Sequence, residues 1–172
     1  NLFCEDAWAA TTSVPLDYTT FTEQDAGNKV SVTSSCASFA NVETKRANAY
    51  LWKNYSTAGD FVYEFDGVLT AADTFAYETV IWGVSNTPNE SWDDWTDGIN
   101  LAFKKSGTNL QVKLNVKSGS TVYADWLTMN TRYYFRVKRV GSTVSAEIYS
   151  DLGRTTLVKT LTATSSADFQ YL

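Results

Sequence analysis

Residues Thr87-Pro-Asn-Glu-Ser-Trp-Asp-Asp-Trp-Thr-Asp-Gly98 hold the densest chemistry in the chain: Trp92 and Trp95 bracket Asp93 and Asp94, and Asp97 follows. A sugar ring presents apolar C–H patches on one face and hydroxyls at its edge. Exposed indoles stack on the first while carboxylates accept hydrogen bonds from the second. Asp93, Asp94 and Asp97 with neighbouring carbonyls are also weak candidates for calcium, a hard ion that takes six to eight oxygens, although no EF-hand spacing is present. The plainer alternative is that one indole covers the body of the domain and the aspartates are solvated. Arg132, Tyr134, Arg136 and Lys138 form a second set at alternate positions, continuing onto Glu147 and Tyr149. Mixed cationic and aromatic side chains suit an anionic glycan or a protein partner, with Tyr134 and Arg136 as the contacts. An ordinary solvent face laced by cross-strand Arg–Glu pairs competes with that reading.

What is missing narrows the chemistry further. The 172 residues include no histidine, which excludes Ser-His-Asp and Cys-His catalysis, histidine-ligated zinc and histidine pH switching. Lys+Arg 14 against Asp+Glu 19 gives a net charge of -5, the wrong sign for gripping DNA or RNA. No apolar stretch approaches the roughly 20 residues of a membrane span, and no leader peptide is visible. Cys4 and Cys36 lack redox spacing. They are either two free thiols or a disulfide, which would add about 3 kcal/mol and imply an oxidising compartment. Asn54-Tyr55-Ser56 and Asn89-Glu90-Ser91 fit the N-glycosylation pattern and lean weakly the same way, making Asn54 and Asn89 acceptor candidates.

The elements that must position these groups are strands. Hydrophobic residues make up 44% and charged ones 19%, a globular balance that suits one domain over 1–172. Phe61, Tyr63 and Phe65 alternate with Val62, Glu64 and Asp66. Leu110, Val112, Leu114 and Val116 alternate with polar residues, and Tyr133, Phe135 and Val137 face away from Arg132, Tyr134, Arg136 and Lys138. A turn at Gly141-Ser142 followed by Val144, Ala146 and Ile148 predicts a hairpin. Further strands are expected near 29–33, 37–42, 48–53, 76–84, 99–105, 120–126 and 155–161. A turn of helix is expected at most over Glu5 to Ala10. About a dozen short strands predict an all-β fold, a two-sheet antiparallel sandwich. Trp82 and Trp126 read as core residues, and Trp52 as core or surface.

Several segments in order resemble a concanavalin A-like (lectin/glucanase, LamG-like) jelly roll: Tyr18 to Asp25, Val30 to Ser34, Ala49 to Lys53, Gly59 to Phe61, and the late hairpin Asn130 to Val144 with Ala146 to Asp151. The resemblance spans about Asp17 to the end and specifies architecture better than activity. It implies a secreted, cell-surface or virion domain of the kind found in lectins, glycosidases, adhesins and viral surface proteins, and it draws attention to the Arg136 face, because the concave sheet of such folds carries ligands. Retaining glucanases of this fold carry Glu-x-Asp-x-x-Glu on one strand. Glu64-Phe65-Asp66 begins that pattern, but Leu69 occupies the acid/base position; Glu23 and Asp25 begin it too, with Asn28 last. Lacking the third carboxylate, two-carboxylate hydrolysis has no proton donor. The fold usually adds a strand after Asp168 to Leu172, so three readings stand: a natural end at an edge strand, a terminal strand absent here, or one donated by a partner protein near Leu172. The function expected is non-catalytic binding of a glycan or surface partner; a purely structural assembly module is the alternative, and a glycan hydrolase or lyase is weaker.

Overall fold

Alternating apolar and polar side chains favour extended backbone, since successive Cβ atoms then point to opposite faces. A computed structural model of the protein describes residues 2–4, 15–25, 27–40, 49–57, 59–72, 78–88, 92, 95–117, 119 and 121–172, with backbone alone at 2–4, 57, 125 and 126. Its strands are β1 (Leu2–Cys4), β2 (Thr22–Asp25), β3 (Val30–Val32), β4 (Cys36–Phe39), β5 (Ala49–Trp52), β6 (Asn54–Thr57), β7 (Phe61–Val68), β8 (Thr79–Ser85), β9 (Gly98–Ser106), β10 (Asn109–Val116), β11 (Thr121–Thr128), β12 (Tyr133–Val140), β13 (Thr143–Tyr149), β14 (Leu157–Thr164) and β15 (Phe169–Tyr171). One 3-10 turn covers Tyr18–Thr20. The turn of helix expected over Glu5 to Ala10 lies outside the described residues.

The strands form two antiparallel sheets and a small third ladder. Seven run in the order β14-β13-β12-β7-β1-β4-β3, six in the order β11-β10-β9-β8-β15-β6, and β2 pairs with β5 separately. The all-β sandwich is therefore present, with one ladder more than two sheets alone would give. Its layers meet through inward-facing side chains: Phe65, Phe135, Val137, Ala146 and Ile148 from one sheet, Val84, Ile99, Leu101, Phe103, Leu114 and Phe169 from the other. The rings of Phe103 and Phe135 touch across the layers at 5.9 Å, and Phe61 and Tyr63 meet Trp82 at 6.1 and 5.4 Å. Trp82 is a core residue as expected, Trp52 is half-buried, and the side chain of Trp126 lies outside the described residues.

Strand β15 runs between two neighbours. It pairs with β6 on one side and β8 on the other, and Leu172 exchanges backbone bonds with Lys53 at 2.8 and 3.0 Å. β15 is thus an interior strand, and β6 beside it ends the sheet. In the other sheet, β1 lies between β7 and β4, with Cys4 directly opposite Cys36.

Strand β14 starts later than its composition predicts because Asp151 organises the turn before it. The Asp151 carboxylate accepts from the Thr155 N–H at 3.1 Å, the Thr155 hydroxyl at 3.0 Å and the Thr156 N–H, keeping residues through Thr156 out of the ladder. Backbone donation from Thr155 is the main reason its pKa falls to about 2. A folded pKa below the unfolded value means stability present above about pH 4 and lost as pH falls toward 2. Asp151→Asn is thus expected to flatten the acid limb of a stability-versus-pH curve between pH 4 and 2; an unchanged limb in urea titrations would contradict this role.

Candidate functional site

The outward face of the six-stranded sheet is set by register. Trp82 pairs with Leu101 and Val84 with Ile99, all facing the core, so Gly83, paired with Asn100, and Gly98, paired with Ser85, face outward. Onto these two glycines lies Trp95. A Cβ at Gly83 would sit 2.8 Å from the Trp95 ring, and one at Gly98 would overlap it, while Gly98 also holds a φ of +153°. The bare backbone is thus what lets the indole approach. Trp92 stands edge-on to Trp95, with ring centroids 5.2 Å apart and planes at 67°. The Lys117 ammonium lies 5.3 Å above the Trp92 ring and donates to the Trp92 carbonyl at 2.8 Å. Both indoles are half-buried.

Beside this aromatic corner the same face carries a polar cluster. Asn115 donates to Asn100 Oδ1 at 2.8 Å and to Glu78 Oε2 at 3.2 Å, and Lys113 pairs with Glu78. Asn100 is fully buried, and among the described residues its Nδ2 has no partner. A buried amide donor without an acceptor costs about 1–3 kcal/mol, so the cluster is held against a free-energy penalty. Tyr123, opposite Lys113 on β11, extends the face with an exposed ring. Glu78, Asn100, Lys113, Asn115 and Lys117 were not legible as site residues. For Lys113 and Asn115 the sequence signal is the polar parity of β10, which reads equally as an ordinary solvent face; Glu78 and Asn100 come to them only through the sheet.

Asp97 is bonded within the chain. Its two carboxylate oxygens accept from Asn86, from the backbone N–H at 3.1 Å and from Nδ2 at 2.7 Å, closing the base of the loop. Asp93 and Asp94 lie outside the described residues, and among the described residues no group of three or more Asp, Glu or Cys gathers as a metal site.

The second candidate face, outward on the seven-stranded sheet, comes together as expected, but it is matched within itself. Arg136 stands between Glu64 and Glu147 in register, pairs with Glu64, lies 3.6 Å from Glu147 and donates to the Tyr149 hydroxyl at 3.4 Å. Lys138 reaches Glu147 at 2.6 Å, and the Tyr149 hydroxyl donates to it at 2.7 Å. Burial pushes the Glu147 pKa up, but the bonds from Lys138 and Tyr149 outweigh it and hold the carboxyl below its ordinary value. The Tyr134 ring carries the Arg154 guanidinium at 5.9 Å. Asp66 is fully buried and ion-paired with Arg132, and Leu69 points into the core.

Asn54 is exposed at the start of β6, and Asn89 lies outside the described residues. No helix among the described residues is long and apolar enough to cross a membrane. Compared with known proteins, the chain matches no family model, no curated protein and no solved structure.

Proposed function

We propose that this domain is a non-catalytic glycan-binding or attachment module of a secreted, cell-surface or virion protein, of the concanavalin A-like type, and that its contact surface is the outward face of the six-stranded sheet around Trp92 and Trp95. The observation that carries this reading is the indole of Trp95 seated on the backbones of Gly83 and Gly98 with Trp92 at a steep angle to it. A platform fixed before the ligand arrives loses little ordering entropy on binding. The neighbouring amides and the Lys113–Glu78 pair supply the donors and acceptors that hydroxyls need. The Arg136 face supports the reading less, because its charges already compensate one another. Non-catalytic action is supported by Glu64 and Asp66 each being tied to an arginine and by Leu69 in the core.

A broad glycan array tests it. Wild type is expected to bind a defined subset and Trp92→Ala to lose it; silence over the whole array, with the folded state confirmed, overturns the reading. A structural assembly module is the second reading. It is favoured by β14, which ends its sheet with Leu157 53% and Val158 43% exposed, apolar side chains on an outermost strand.

The same proposal includes a Cys4–Cys36 disulfide, supported by their directly opposed positions in the β1–β4 ladder. Opposed antiparallel residues have Cα separations of roughly 4.5–5.5 Å, within the span a disulfide bridges. Reduction is expected to lower unfolding stability by about 3 kcal/mol in urea titrations. Quantitative alkylation of both cysteines in the unreduced, denatured protein would contradict it.

A further inference from the structure

The loop carrying the two indoles is fastened at its base, and we propose that Asn86 is the positioning residue that sets the Trp92–Trp95 corner. Its biological meaning rests on the glycan-binding reading above; its geometry does not. Asn86 follows β8 immediately and Asp97 immediately precedes β9, so the bond between them joins the two roots of the loop. Two hydrogen bonds from one residue to both oxygens of a carboxylate fix rotation as well as distance. The second hydrogen on Asn86 Nδ2 goes to the Asp168 carbonyl at 3.0 Å. Asp168 is in turn held by the Gly59 N–H at 3.0 Å and by Arg139 at 2.9 Å. The loop root is therefore tied to the segment that leads into β15 and to the turn between β6 and β7.

An amide at position 86 is what this arrangement requires. It donates to two acceptors at once, which a carboxylate of the same size cannot do. Trp95 lies two residues before Asp97, so turning Asp97 would lift the indole from Gly83 and Gly98. The Trp95 N–H donates to the Trp92 carbonyl at 3.3 Å, which passes the constraint to the second ring.

The test uses the whole chain without ligand. Asn86→Asp sets two carboxylates against each other; it is expected to speed hydrogen exchange at the Trp95 amide about tenfold relative to the core amide of Val137, and to erase the far-ultraviolet exciton signal of the paired indoles. Adding Asp97→Asn returns a donor to the pair from the other side. That double variant is expected to recover exchange to within about threefold of wild type, incomplete because the contact to Asp168 is not regained. Asn86→Ala, which removes the grip without adding charge, gives the same readout should Asn86→Asp fail to fold. Unchanged exchange and exciton signal in both single variants, or a double variant looser than Asn86→Asp, would overturn the assignment. A wild type that binds no saccharide yet shows the predicted exchange pattern would sink the glycan reading and leave this clamp standing.

Discussion

Replacing Trp95 with alanine is expected to weaken saccharide binding by at least about thirtyfold, the effect of losing an aromatic anchor worth roughly 2 kcal/mol at the centre of a contact surface. It should also lower stability, because the half-buried indole covers Gly83 and Gly98 and contributes about 1.5–3 kcal/mol through the area it keeps from water. Trp92→Ala separates the two effects, since Trp92 stands edge-on to Trp95 while Trp95 is the ring seated on Gly83 and Gly98. It should lose binding at a smaller cost in stability. Gly98→Ala gives an independent route to the same end: a methyl there overlaps the Trp95 ring, so the indole must leave its seat although no aromatic has been removed. Isothermal titration and urea denaturation on the three variants check this. Full affinity in both Trp95→Ala and Gly98→Ala would show that ligand goes elsewhere.

Arg139→Met is expected to cost about 3 kcal/mol of unfolding stability. Arg139 occupies an inward position at the end of β12, in register with Phe61, and its side chain is only 2% exposed. Its guanidinium donates to the Gly59 carbonyl through Nε at 2.6 Å and also through Nη2, donates to the Ala167 carbonyl, and lies 5.2 Å over the Phe61 ring. Asp168, 63% exposed, contributes little as an ion-pair partner because water screens it. The loss comes from the carbonyls left without a donor, and methionine keeps most of the volume so that a cavity term does not dominate. Urea titration measures it. A variant within 0.5 kcal/mol or so of wild type would mean that water replaces the guanidinium without penalty.

The parts of the fold legible in the sequence are those written in local parity. Tyr133, Phe135 and Val137 against Tyr134, Arg136 and Lys138 specify both faces of β12, and the structure places the first three in the core and sets Arg136 in register between Glu64 and Glu147. The same parity makes Arg139 an inward residue, a signal present in the sequence but easily passed over because arginine is rarely buried. Register between strands distant in sequence is not legible locally. The apolar segment Asp168 to Leu172 reads as a strand, yet nothing near it says that it slots between β6 and β8. The site divides the same way. Trp92 and Trp95 stand out by type and spacing, whereas the seat of Trp95 needs Gly83 from the preceding strand, and the grip on Asp97 needs Asn86 from across the loop. The partners of Asp97 and Asp66 are likewise not legible locally, because Asn86 and Arg132 are brought to them by tertiary structure.

The most direct measurement is a saccharide titration followed by the indole N–H resonances of the six tryptophans. Saccharide binding at the proposed corner predicts that the Trp92 and Trp95 signals move together and saturate while that of the core residue Trp82 stays in place. Signals that stay fixed across a panel of saccharides, or movement confined to backbone amides around Arg136 on the opposite sheet, would contradict it.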